Sequence, residues 1–165
     1  MNTSELECLL TKVLIGTNTV SLGVRAADQL PDVWPVESVC IANTDNADKP
    51  GEHWVVYYHS QSALEFFDSY GLPPSAYPNL TILNVLYYNP ISLQSIGSSV
   101  CGHYCIFYVY FRARTNHSRN VINKILSLCA GLSPRERDRI VRDFVQYSLK
   151  RIRCPTGAQC CVARK

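Results

Sequence analysis

The spacing of apolar residues divides the chain into a short helix, a set of strands and a closing group of helices. Leu6, Leu9, Leu10 and Val13 recur at three- and four-residue intervals, which predicts a helix of about ten residues capped by Ser4. Residues 15–37 mix Gly, Pro and turn formers and read as irregular. VCIA (39–42) predicts a short strand, and NTDNADKPGE (43–52) is turn chemistry. HWVVYYH (53–59) is β-branched and aromatic, so it predicts a strand; after the SQS link, ALEFFDSYG (63–71) predicts its hairpin partner. LTILNVLYY (80–88) predicts a further strand, broken by Asn89-Pro90.

CGHYCIFYVYFRAR (101–114) is apolar almost all round a helical wheel, the pattern of a buried central helix. A second helix covers about 117–130 and ends at Gly131. Ser133-Pro134 opens a third over 134–152, with Ile140, Phe144, Val145 and Leu149 inward and arginines outward. The order predicts an α+β fold, a sheet packed on a central helix. At 165 residues the chain suits one domain, 1–153, followed by a loose tail, 154–165.

Composition narrows the classes. An apolar share of 47% excludes a disordered chain. No apolar run approaches the roughly 18 to 20 residues of a membrane span, so no membrane partner is expected. The N-terminus lacks a basic segment before an apolar stretch, so no signal peptide is expected. The eight cysteines are then expected to be thiols in a reducing compartment, and the sequons at Asn2, Asn79 and Asn116 to be chance. Cys101-x-His103-x-Cys105 and Cys154…Cys160-Cys161 lack paired zinc spacing, so no metal is expected. The net charge of +3 hides an asymmetry. Residues 1–111 hold three Lys and Arg against ten Asp and Glu, a balance of −7; residues 112–165 hold thirteen against three, a balance of +10. The basic third reads either as a surface for a polyanion, DNA first, or as a solvated helix face.

One constellation suggests chemistry. A thiol nucleophile needs positive charge nearby, and a helix start supplies a partial one together with free N–H groups. Cys101 stands at such a start. His53, opening a strand, is the candidate base; Asp68, closing the next strand, comes out on the same sheet edge and would orient it. Gln94, in the loop feeding the helix, is the candidate oxyanion donor together with the Cys101 N–H. Cys105, one turn further on, reads as a buried hydrophobe. His103 points roughly 200° round the helix from Cys101 and makes a poor base. His59 and His117 read as surface residues.

GEHWVVYY (51–58), FFDSYG (66–71), QSIGSSVC (94–101) and the following GHYC resemble the adenovirus-type cysteine endopeptidases (adenain-like), distant relatives of the SUMO-cleaving Ulp-type proteases. SLGVRAADQLPD and VCIANTDN upstream extend the likeness over 5–112. The Gln-to-Cys spacing of seven is that of the viral branch. The acid is Asp where adenoviral enzymes mostly have Glu, the loop from His to the acid is shorter, and so is the chain. These departures suggest a divergent adeno-like virus or a virus-related transposon. The resemblance implies a papain-like fold and a thiol endopeptidase with Cys101, His53 and Asp68 catalytic, and Gln94 and Cys101 at the oxyanion. Gly102 would support the helix start, and Trp54 would either cover His53 or serve the core. It implies cleavage of virion precursor proteins near Gly, DNA stimulation, no small-molecule cofactor, a monomer, and a place in the virion and host nucleus. VQYSLKRIRC (145–154) is similar to the basic peptide that activates adenoviral proteases, carried here in cis; it also reads as a plain amphipathic helix end. Two alternatives stand: a deubiquitinating or deSUMOylating isopeptidase, and an inert DNA- or capsid-associated module.

Overall fold

The structure, a computed structural model, describes residues 1–80, 84–115 and 118–148. Helix α1 (Thr3–Val13) is capped by Asn2, two residues before the expected cap Ser4. Asn2 Oδ1 accepts the Glu5 N–H at 2.9 Å and the Glu5 carboxylate accepts the Asn2 N–H at 3.0 Å, a reciprocal box that satisfies two donors at once. Leu6, Leu10 and Val13 are fully buried, with Leu9 packed beside them.

Five strands form one mixed sheet in sequence order: β1 (Val20–Arg25), β2 (Ser38–Asn43), β3 (Trp54–His59), β4 (Leu64–Phe67) and β5 (Val85–Tyr88). The inner pairs β2–β3 and β3–β4 are antiparallel, and the outer pairs β1–β2 and β4–β5 are parallel. Strand β1 corrects the irregular reading of 15–37. It lies on an edge and is half exposed, and its register shifts between Ser21 and Val24, so no clean alternation marks it. The strand expected over 80–88 is seen over its second half; residues 81–83 lie outside the described residues.

Helix α2 (Cys101–Arg112) lies across β3 and is enclosed by α1, α3 (Ser118–Leu128) and α4 (Pro134–Asp143). Val56 and Tyr58 point to the helical side of the sheet; Val55 and Tyr57 point to a smaller cluster on the other face, with Ala42, Phe66 and Leu80. This placement explains why α2 is apolar on nearly every side. The fold is α+β, as expected, with a mixed sheet packed on a central helix whose first residue is Cys101.

A buried ion pair fixes α2 along the sheet. Arg112 Nε and Nη2 each donate at 2.8 Å to the Glu65 carboxylate of β4, and the Tyr108 hydroxyl adds a bond at 3.2 Å. The guanidinium also lies 4.1 Å over the Tyr58 ring. Both ends of the pair are buried and both are multiply bonded, the condition under which a buried charge is tolerated.

The α-helix expected over 134–152 stops at Asp143 and passes into a π turn, Phe144–Ser148; the rest of that span, most of the basic peptide 145–154 and the tail 154–165 lie outside the described residues. Ile140 is 37% exposed rather than inward. The buried face runs through Asp138, Val141 and Val145, so a carboxylate takes a position that the pattern assigned to isoleucine. No helix among the described residues is long and apolar enough to cross a membrane.

Candidate active site

His53 immediately precedes β3 and Asp68 immediately follows β4, so the antiparallel hairpin delivers both to one end of the sheet. His53 Nε2 and Asp68 Oδ1 are 2.6 Å apart and both residues are buried. That leaves the other ring nitrogen, Nδ1, for Cys101, whose thiol is near enough for the two groups to shift each other's pKa. The nucleophile candidate sits on the first residue of α2, where the helix has no side-chain cap. Its sulfur also faces the backbone N–H groups of Trp54 and Gly102.

These contacts decide the protonation of the pair. Burial by itself would raise the Cys101 pKa; the hydrogen bond and charge of His53, with the two backbone N–H groups, outweigh it and lower the thiol below its ordinary value. Burial would lower the His53 pKa, but the bonds to Asp68 and Cys101 and their charges raise it to about 9. The two shifts have opposite signs, and both favour a proton on the imidazole over one on the sulfur.

Asp68 is held from four sides. Its Oδ1 accepts the Tyr70 N–H at 3.1 Å in addition to His53, and its Oδ2 accepts the Leu72 N–H at 2.9 Å and the Tyr77 hydroxyl at 3.0 Å. The Asn89 side chain clamps its backbone, accepting the Asp68 N–H and donating to the Asp68 carbonyl, both at 2.8 Å. Asp68 is therefore at once a turn-capping aspartate and the histidine's partner. The turn 68–71 packs tightly on the following loop. A Cβ on Gly71, where φ is +76°, would come within 2.6 Å of the Ile91 carbonyl carbon, so only glycine fits.

The same turn positions Gln94. The Ser69 carbonyl accepts the N–H groups of Leu93 and Gln94 at 2.8 and 3.0 Å, and the Ser69 hydroxyl donates to Gln94 Oε1 at 2.7 Å. Gln94 Nε2 donates to the Ser98 carbonyl at 2.6 Å and to the Tyr70 hydroxyl at 3.1 Å. Both of its amide protons thus have acceptors, and an incoming oxyanion would have to displace one of them. Cys101, as the first helical residue, offers a backbone N–H with no carbonyl inside the helix to bind. Gly102 serves packing: a Cβ there would meet Leu6 and Met1 side chains at 3.3 Å.

Trp54 packs on the main core cluster. Among the described residues the rings stacked on His53 belong to Tyr70 and Tyr77, with centroids at 4.9 and 5.8 Å. Sequence reading missed Tyr77 and Asn89. Tyr77 lay in a Pro-rich loop with no periodic signal, and Asn89 was read as half of a strand-breaking Asn-Pro pair. Tyr70 was visible only as the aromatic of an acid–aromatic–Gly turn. His103 is half-buried, lies outside the cleft lining and has its pKa lowered to about 4, chiefly by burial. His59, expected at the surface, is partly buried, its Nδ1 2.7 Å from the Trp34 carbonyl. Cys105 is buried, and it, Cys40, Cys101 and Cys129 form no disulfide.

The cleft over Cys101 holds about 480 Å³ and is lined by His53, Trp54, Tyr70, Tyr77, Ser98 and Gly102 among others. A larger cavity of about 780 Å³ lies at the far end of the sheet beside Glu37, Ser60 and Arg114 and contains no nucleophile paired to a base. Among the described residues no group of three or more His, Cys, Asp or Glu is placed to hold a metal ion.

Comparison with known proteins is sparse. No protein-family model matches the chain, and no curated protein does. Among solved structures it is similar to the selenomethionine crystal structure of the ASFV pS273R protease, at 21% identity and a TM-score of 0.39, over 66% of this chain and 42% of that one. The chain thus spans less than half the length of that protease.

Proposed function

We propose that the chain is a cysteine endopeptidase of the adenovirus type that cleaves precursor polypeptides near small residues. The observation that supports this reading best is the buried His53, bonded to Asp68 and electrostatically paired with the thiol at a helix start. In this reading the Cys101 thiolate attacks the scissile carbonyl carbon and the carbonyl π electrons move onto oxygen. The Cys101 N–H receives that oxyanion, and Gln94 turns an amide proton to it from Tyr70 or Ser98. As the C–N bond breaks, the imidazolium gives its Nδ1 proton to the leaving amine. A water then loses a proton to Nδ1 and attacks the thioester, releasing the acid and restoring the thiolate–imidazolium pair. Gly51, Gly102, Ser98 and Ser99 among bulky tyrosines make a cleft suited to small substrate side chains. Exposed Arg135, Arg139 and Arg142 on α4 favour DNA as a stimulating partner.

The test is cleavage of a peptide library with and without duplex DNA, with probes bearing ubiquitin-like C-termini alongside. Cys101→Ala and His53→Ala should each lose at least about a thousandfold in kcat/KM while keeping a native circular dichroism spectrum. Turnover retained in Cys101→Ala would remove the proposal, and reaction with the ubiquitin-like probes alone would move it to an isopeptidase.

A further inference from the structure

The loop 95–98 has a second face, turned away from Cys101 toward α4. There it borders a cavity of about 330 Å³ whose remaining lining is Arg135, Asp138 and Arg142. Ser98 lines both this cavity and the catalytic cleft, so the two are neighbours across one residue of the loop. The cavity is positively charged. Asp138 is buried and its carboxylate is occupied internally, accepting from the Ser95 hydroxyl, from the Ser95 N–H at 3.3 Å and from the Tyr104 hydroxyl at 3.1 Å. Arg135 and Arg142 are exposed, lie seven residues apart on one face of the helix, and have no ion-pair or hydrogen-bond partner among the described residues. Ile96, 97% exposed, forms an apolar rim.

The geometry points to a substrate subsite in this cavity that takes an acidic side chain, Asp or Glu, of the peptide whose scissile bond lies over Cys101. Two free guanidinium groups match a carboxylate in charge and in donor geometry. The cavity is open to solvent and has room for one or two side chains of a bound peptide. The inference rests on the endopeptidase reading but is tested separately from it.

Peptides with Asp or Glu, their amides, or Lys at each position around the cut are compared in two ways: by kcat/KM, and by direct binding to full-length Cys101→Ala protein, which needs no turnover. The acidic member at one position should be favoured about tenfold in both assays. The preference should fall to about one in R135Q/R142Q and turn toward Lys in R135E/R142E. No acid preference in the binding assay, or a preference that survives in R135Q/R142Q, overturns the subsite. So does R135Q/R142Q losing duplex DNA binding while its peptide preference stays intact. A protein that binds acidic peptides selectively yet cleaves nothing, with Cys101 inert to alkylation, would contradict the endopeptidase reading and leave the subsite standing.

Discussion

At the scale of single residues, the site depends on the balance of hydrogen bonds around His53. Asp68 supplies the leading favourable contact behind its raised pKa, so Asp68→Asn should return the ring toward the ordinary value of about 6.5. The alkaline limb of the pH–rate profile should then move down from about 9, and kcat should fall by orders of magnitude because the tautomer is no longer fixed. A profile that keeps its alkaline limb would show that the acid does not control the base. Tyr77→Phe removes only the hydroxyl on Asp68 Oδ2 and keeps the ring on His53. It should cost roughly three- to tenfold in kcat/KM, the worth of about one hydrogen bond. His53, Asp68, Gln94 and Cys101 were legible because their residue types and order carry a chemical logic. Tyr77 and Asn89 were not, since a tyrosine in a loop and an asparagine before proline have many uses that only packing distinguishes.

At the scale of elements, the helix must be held in register against the hairpin, and two buried carboxylates do this. Glu65 holds the C-terminal end of α2 through Arg112. Asp138 ties α4 to the loop that enters α2, through Ser95 and Tyr104. Glu65→Ala leaves Arg112 buried without its partner and should lower stability by about 3–5 kcal/mol in chemical denaturation; a loss under about 1 kcal/mol would mean that water reaches the guanidinium. Asp138→Asn keeps the shape but weakens the hold on the loop carrying Gln94. It should lower kcat while leaving the alkylation rate of Cys101 unchanged, since the thiolate does not depend on that loop. The hairpin and α2 were legible in the sequence because both are continuous and strongly apolar. Strand β1 was hidden by its exposed edge and its bulge, and the end of α4 by a buried aspartate that breaks the apolar period.

At the scale of the molecule, the charge asymmetry and the ion pair at the site set the response to solution conditions. If the basic C-terminal third meets DNA, stimulation by DNA should decline steeply over about 50 to 200 mM salt, while hydrolysis without DNA changes little. Equal salt dependence of both would point to a solvated face. His53 binds its proton more tightly in the folded chain, with a pKa of about 9 against 6.5 free. Its contribution to stability is therefore complete below about 6.5 and is lost as pH rises through about 9. The thermal midpoint should fall across that upper window, and the fall should be shallower in His53→Gln.

The most direct measurement is the rate at which iodoacetamide alkylates Cys101 as a function of pH, in the wild-type chain and in His53→Ala. A thiolate held beside an imidazolium should already react fast at about pH 6, where a free thiol is almost wholly protonated, and His53→Ala should slow that reaction by at least about tenfold. Alkylation that is slow at that pH in both proteins, and that climbs only toward the free-thiol range near 8.5, would contradict the account.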